Sequence, residues 1–529
     1  MKKLPLGIQT FEKIREDDYV YADKTDLIYD LVHNGSVYFL SRPRRFGKSL
    51  LISTLDAYFN GRKELFEGLK IADLEKEWKK YPVIRIDFGL SGYEKNEKLQ
   101  AVINDVLIGY ERKYNVTPAA TTSYDVRFKN VIVAAKEAAN EKAVVLIDEY
   151  DKPILDALYT DVENINRTMI RDFYSVLKSC DEYLNFVFLT GITRVPHLNI
   201  FSGLNHINDI SMSDQYSTIC GITKEELLTD FSDRIDDMAA ARKITRQKCL
   251  EKLKLTYDGY HFSKSMTDVY NPFSLINAFA ENSFVYKWFG SGTPSSLMKI
   301  LEHQNADISG FVEDVVAYES DFDDFDPTDD NFLPIIYQSG YLTLKSYDEN
   351  SELYTLDIPN GEVRTGFYRH LIRRFSSVKE QKLGVTVEAF RSALENADMA
   401  ELETLIRSAV ASLPYMQDKN YNEDMYRNIL FMMFSLTSYR TIAESVSLLG
   451  RADIVVELED KVYIFELKYC RDGKADELAA AALQQIEDKK YAVPYIASGR
   501  KIIKTALVFD QTGLVKMCWN ANNLAILYL

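Results

Sequence analysis

Residues 42–49 read Arg42-Pro43-Arg44-Arg45-Phe46-Gly47-Lys48-Ser49. They follow a short apolar run, VYFL at 37–40, and precede LLISTLDAYFN at 50–60, whose apolar spacing is helical until Gly61 ends it. A loop leading from a strand into a helix aims backbone N–H groups at an anion. At its end Gly47 permits the turn, Lys48 reaches phosphate oxygens and the Ser49 hydroxyl suits Mg²⁺. The stretch Arg45, Phe46, Gly47, Lys48, Ser49 and Leu50 is therefore the nucleotide-binding candidate. The usual GxxxxGK[ST] pattern begins with Gly, and Arg42 stands there instead. An ordinary basic turn is the competing reading. A loop altered by Arg42 so that no nucleotide chemistry remains is another.

The flanking sequence strengthens the phosphate reading. Val83-Ile84-Arg85-Ile86-Asp87, AVVLI at 143–147 and NFVFLT at 185–190 read as further strands, with amphipathic helices between them. That βαβ rhythm predicts a mostly parallel sheet covered by helices. The third strand ends in Asp148-Glu149. A strand buried on both faces carries such a pair to the carboxyl edge of the sheet, beside the loop. There Asp148 can hold Mg²⁺ through water, and Glu149 can orient or deprotonate an attacking water. Thr193 or Arg194, after the next strand, is placed to sense a γ-phosphate; a turn with a solvent-exposed arginine fits the same residues.

A second constellation lies near the other end. Ala452–Leu458 and Val462–Lys468 are strands joined by a three-residue polar link, which predicts a hairpin. Glu466 and Lys468 share one face of the second strand, and Asp453 on the first can join them. Two carboxylates and a lysine suit metal-assisted phosphodiester cleavage. Asp453 and Glu466 would bind Mg²⁺, and Lys468 would position water or offset developing charge. Glu423 on the preceding helix and Gln485 on the following one are polar groups able to converge on them. A hairpin with solvated charges is the alternative. Helices over 399–412, 423–437 and 476–491 and a strand over 505–509 complete this part.

Between the two regions, Thr223-Lys224-Glu225-Glu226 has the form of a capping box, and Asn271-Pro272 that of a helix start. Residues 313–330 carry nine acidic side chains and no basic one. Counted from Asp321, a calcium loop needs Gly at position six and Glu at position twelve; Asp326 and Phe332 stand there, so a solvated acidic loop is expected. The chain has 529 residues, 46% of them hydrophobic and 27% charged, which excludes wholesale disorder and leaves room for several domains. Its net charge of −16 argues against a general electrostatic grip on nucleic acid. Residues 400–529, with 15 basic and 17 acidic groups, are nearly neutral. No uncharged stretch is long enough for a membrane span, and the N-terminal residues have no apolar signal-peptide core. Five widely spaced cysteines fit reduced thiols in a cytoplasmic protein.

These motifs together resemble a prokaryotic family of AAA-type ATPase-like proteins. YADKT (21–25), RPRRFGKS (42–49), LIDEYDKP (146–153), LTGIT (189–193), IFSGLN (200–205), YDGYHF (257–262), YNPFS (270–274), SGYLT (339–343) and IPNGEV (358–363) carry the resemblance. GRADIVVE (450–457), FELK (465–468) and QQIEDKKYA (484–492) are similar to the motifs of a PD-(D/E)XK nuclease-superfamily domain that follows the ATPase-like region in that family. The resemblance implies that Arg42 is normal at the head of the loop. It makes Lys48, Ser49, Asp148 and Glu149 nucleotide-site residues, and Glu423, Asp453, Glu466, Lys468 and Gln485 nuclease-site residues. Ser-Lys is expected where this chain has Thr193-Arg194.

The expected architecture is α/β. A P-loop NTPase sheet flanked by helices occupies 1–285, a mainly helical or winged-helix-like middle region 286–395, and a restriction-endonuclease-like domain 396–529. The expected function is ATP binding and hydrolysis coupled to Mg²⁺-dependent action on nucleic acid. The alternative is a nucleotide switch whose nuclease-like domain is inactive and only binds nucleic acid or a protein partner. Oligomerisation fits either reading, with Arg44 and Arg45 as groups able to act across a subunit boundary.

Overall fold

The computed structural model describes residues 1–95, 97–119, 122–195, 207–288, 290, 297, 299–300, 315–325, 331–375, 380–411, 422–437, 439–447, 450–471 and 473–522. The chain divides into two compact units, Met1–Glu362 and Val363–Leu529.

In the first unit, β1 (Val37–Ser41), β2 (Val83–Asp87), β3 (Ala143–Asp148), β4 (Leu184–Gly191) and β5 (Asn208–Asp209) form one sheet in the order β2-β3-β4-β1-β5. Every pairing in it is parallel. This is the helix-flanked parallel sheet of a P-loop NTPase. β3 is buried along its whole length because both its faces are covered. Val145 and Ile147 join Val187 and Leu189 of β4 in a core with the helices Lys98–Lys113, Tyr124–Ala139 and Glu163–Ser179. Each such buried aliphatic side chain contributes roughly 1.5–3 kcal/mol. The helix Lys48–Phe59 packs against β2, β3 and β4. β4 lies between β1 and β3, so the turns after all three strands open at one edge of the sheet.

A second core gathers around helices Lys224–Asp230, Ser232–Arg242, Arg246–Tyr257 and Pro272–Glu281. The expected caps form. Thr223 and Glu226 bond reciprocally, and the Asn271 side chain accepts from the Ser274 N–H. The later part of this unit adds a three-stranded antiparallel sheet, β6 (Val315–Ala317), β7 (Thr343–Asp348) and β8 (Leu353–Asp357), to its helices.

The solvated acidic loop expected over 313–330 is corrected in part. β6 and a short helix, Ser320–Asp323, occupy it, and Asp323 turns inward to pair with Arg194. Position 326 and the IFSGLN segment lie outside the described residues.

The second unit is built on β9 (Arg440–Ser447), β10 (Gly450–Glu457), β11 (Lys461–Tyr469), β12 (Lys501–Asp510) and β13 (Gly513–Asn522), in the order β13-β12-β11-β10-β9. The expected hairpin is present as antiparallel β10 and β11, and β11 pairs with β12 in parallel. The parallel step requires a crossover, and the helix Ala475–Asp488, packed on β11, β12 and β13, supplies it. Helices Met399–Ala411 and Glu423–Ser435 precede the sheet.

Candidate functional sites

The loop after β1 enters the helix Lys48–Phe59 through Gly47, whose φ of 99° lies in the left-handed region that a side chain would strain. Arg45 also has positive φ, and its guanidinium stacks over the Phe273 ring at 5.1 Å. Lys48 is buried, and its ammonium donates to the carbonyls of Arg42 (2.9 Å) and Pro43 (3.1 Å). Burial pushes its proton affinity down, against the pull of Glu149, Asp148 and Asp151.

Arg42 leaves the loop altogether. It is buried, and it donates to the carbonyls of Ser41 (2.9 Å), Ser211 (2.7 Å) and Tyr216 (3.3 Å) while stacking on Phe262 at 4.2 Å. Those contacts explain how a large residue replaces the first Gly. Its side chain braces the loop from behind and is absent from the cavity in front.

That cavity, of about 360 Å³, is lined by Lys48, Ser49, Leu50 and Glu149 together with Arg44 and Lys152. Arg45, Phe46, Gly47 and Lys24 also line it, as do the apolar side chains of Ile8, Tyr21, Phe273 and Ile276. Five cations, Lys24, Arg44, Arg45, Lys48 and Lys152, face one carboxylate, Glu149. Such a lining favours a polyanion carrying an apolar body.

Asp148 ends β3 nearly inaccessible to solvent, and burial raises its carboxyl to about 6 against the lowering effect of a Ser49 hydrogen bond and the Lys48 charge. Ser49 and Asp148 are hard oxygen donors of the kind Mg²⁺ takes, and they touch one another. Glu149 has φ of 51°, a strained conformation for a residue with a side chain, and its N–H donates to Asp148 Oδ1 at 3.0 Å.

The residues expected to sense phosphate are engaged elsewhere. Thr193 donates its hydroxyl to Asp151 Oδ2 at 2.8 Å, and its N–H and that of Ile192 reach the same oxygen. Gly191 makes this possible, because a Cβ there would fall 2.5 Å from Asp151 Oδ1. Arg194 is not the solvent-exposed arginine of an open turn. It pairs with Asp323, with Asp209 and Asp324 at 3.4 Å each, and lies a quarter exposed. Sequence reasoning missed Asp151, although it sits inside the quoted LIDEYDKP segment. No pattern distinguishes it from its acidic neighbours.

In the second unit, the register that pairs Ile454 with Phe465 sets Asp453 opposite Glu466. Asp453 Oδ2 accepts the Leu467 N–H at 2.7 Å, and its Oδ1 lies 3.7 Å from Arg427. Glu466 is 1% exposed. One of its oxygens accepts from Lys468 at 2.8 Å, and the other, Oε2, is buried with no hydrogen-bond partner. Burial and the charge of Asp453 raise the Glu466 carboxyl to about 7. Glu423 comes within 4.0 Å of the Lys468 ammonium, and burial raises its carboxyl too.

An orphaned buried carboxylate oxygen beside a second carboxylate fits a divalent cation. Among the described residues no three His, Cys, Asp or Glu side chains form a ligand group, so a cation here would take its remaining ligands from water or substrate. Gln485 stands apart: its amide donates to Tyr491 at 3.4 Å. Arg427 is a neighbour that sequence reasoning did not assign.

Residues 5–201 match the family described as Predicted AAA-ATPase, and residues 421–519 match the PD-(D/E)XK nuclease superfamily. An uncharacterized protein in the vnfD 5' region of Azotobacter chroococcum mcd 1 is 34% identical over 518 residues, spanning 96% of this chain and 97% of its own length. The crystal structure of Cdc6p from Pyrobaculum aerophilum is similar at 12% identity and a TM-score of 0.21, over 64% of this chain and 89% of that one. That similarity is too slight to support an inference. Among the described residues no helix is long and apolar enough to cross a membrane, and the five cysteines are free thiols.

Proposed function

The chain belongs to the family of predicted AAA-ATPases with a C-terminal PD-(D/E)XK nuclease-superfamily domain, and from that premise we propose that it binds and hydrolyses ATP in its first unit and cleaves nucleic acid in its second. The observation that carries the reading is the cationic cavity in front of the loop, lined by Lys48, Ser49 and Glu149. In this reading the backbone around Arg45, Phe46, Gly47 and Leu50 cradles phosphates, and Lys48 gives up its two loop carbonyls to meet phosphate oxygens. Ser49 and Asp148 would hold Mg²⁺, which would supply charge neutralisation when bound. Glu149 orients the attacking water and takes its proton. Thr193 acts through Asp151, fixing the turn after β4.

At the second site Asp453 and Glu466 would hold Mg²⁺, which would supply Lewis-acid chemistry when bound. Lys468 positions the attacking water and offsets charge in the transition state, while Glu423 steadies Lys468. Gln485 has its part here only if it leaves Tyr491. The division of the chain at 285/286 and 395/396, and a cytoplasmic location, belong to the same proposal.

One observation favours a second reading, a nucleotide switch with a silent nuclease-like domain. Gln485 is bonded to Tyr491 and not to the carboxylates. Cleavage of single- and double-stranded DNA and RNA by the purified chain, with Mg²⁺ and with and without ATP, separates the two. The enzyme reading expects cleavage, with losses of at least about 100-fold in Asp453→Ala, Glu466→Ala and Lys468→Ala. Full cleavage by those variants, or none by the native chain on any substrate, contradicts it.

A further inference from the structure

We propose that Arg44, in the phosphate loop itself, is the residue that reads the terminal phosphate of a bound nucleoside triphosphate, in place of a sensor after β4. The inference rests on the nucleotide reading above and deepens it.

Its first support is that the sensor positions are committed. The Thr193 hydroxyl serves Asp151, and Arg194 sits among Asp209, Asp323 and Asp324. Neither residue lines the cavity, whereas Arg44 does, with Lys48, Ser49 and Glu149.

Its second support is how Arg44 is held. The Arg44 carbonyl accepts from the indole N–H of Trp288 at 3.1 Å, and Trp288 is fully buried. The backbone is thereby fixed by a contact that does not involve the guanidinium. The next residue, Arg45, has positive φ, and its guanidinium is taken up by the face of the Phe273 ring.

The third support is electrostatic. The Arg44 Nε is buried and, among the described residues, has no hydrogen-bond partner. The nearby carboxylate, Asp156, is raised by burial and lowered by Lys152 and by Arg44, and Lys152 already lies 3.6 Å from it. Arg44 therefore shares its counter-charge with a second cation. A phosphate offers two oxygens in the geometry a guanidinium prefers, and the pair is strong because both partners are charged. Loop amides cradle the inner phosphates, and Lys48 reaches the β- and γ-oxygens. The added charge of a triphosphate is what Arg44, with Lys152 beside it, remains to meet.

The test is a ratio of affinities, which needs no turnover. Calorimetry on the full chain with Mg²⁺ gives Kd for ADP and for a non-hydrolysable ATP analogue in the native protein, Arg44→Gln, Arg44→Lys and Arg194→Ala. Arg44→Gln is expected to weaken the analogue about tenfold or more while ADP changes less than about threefold. Arg44→Lys is expected to fall between, since it keeps the charge and loses the fork. Equal loss of both nucleotides in Arg44→Gln marks a structural role and overturns the proposal. So does an unchanged ratio, or a ratio lost in Arg194→Ala and kept in Arg44→Gln. A native chain that binds neither nucleotide overturns the nucleotide reading itself, and Arg44 with it.

Discussion

At the scale of single residues, both sites hold carboxylates in a state that opposes folding at neutral pH. The Glu466 carboxyl is raised to about 7 by burial and by the neighbouring Asp453. The sign follows from proton binding. Below the ordinary carboxylate range both folded and unfolded chains hold the proton, and no difference arises. Between that range and about 7 the folded chain holds more protons, so stability falls as pH rises, and above 7 the loss is complete. Glu466→Gln keeps an oxygen for Lys468 and removes the charge. It is expected to melt with the native chain near pH 4 and to be more stable above pH 7, by an amount on the order of 2–3 kcal/mol. Thermal melts across that range check it, and a pH-independent difference contradicts it. A site that costs stability in this way is the pattern of residues kept for chemistry. The positions of Lys48, Ser49, Asp148 and Glu149 at a loop or strand end, and of Asp453, Glu466 and Lys468 on one face of a hairpin, were legible because local periodicity sets them. Asp151, Arg44, Arg427 and the diversion of Gln485 to Tyr491 were not legible. Their roles depend on reach between elements distant in sequence.

At the scale of elements, the strands read from sequence are the buried ones. β3 is apolar at nearly every position, and β10 and β11 supply a hairpin with a short polar link. The strands missed include β6, β7 and β8, a small antiparallel sheet with β8 at its centre, in a region read as mainly helical; the others are edges or fragments. β5 is two residues long, and β9 and β13 border the second sheet with mixed polar sequences, RTIAESVS and GLVKMCWNAN. An edge strand needs only one partner and carries no continuous apolar run. The caps were legible because their chemistry is local. The Thr223 box also reaches across the chain, since Glu226 accepts from the Lys24 ammonium at 2.6 Å as well as from the Thr223 N–H at 2.8 Å. Thr223→Ala is expected to lower stability by about 1 kcal/mol through the lost Glu226 N–H acceptor. Glu226→Ala, which also strands a nearly buried lysine, should cost more. Urea denaturation measures both, and equal midpoints for the two variants would contradict the double role.

At the scale of the whole molecule, one chain carries two constellations that each pair hard oxygen donors with a lysine, one in each compact unit. The first lies in a cavity whose cations outnumber its carboxylates, and the second on a hairpin of a nearly neutral region. A net charge of −16 makes a broad electrostatic hold on nucleic acid unsuited to this chain, so the proposed cleavage would depend on local ligation at Asp453, Glu466 and Lys468. Both expectations meet in a crystal of the full chain grown with Mn²⁺ and a non-hydrolysable ATP analogue and measured at the manganese absorption edge. The account predicts one anomalous peak between Ser49 and Asp148, with the triphosphate over Lys48, and a second between Asp453 and Glu466. Ordered analogue and manganese found away from both pairs of residues would contradict it.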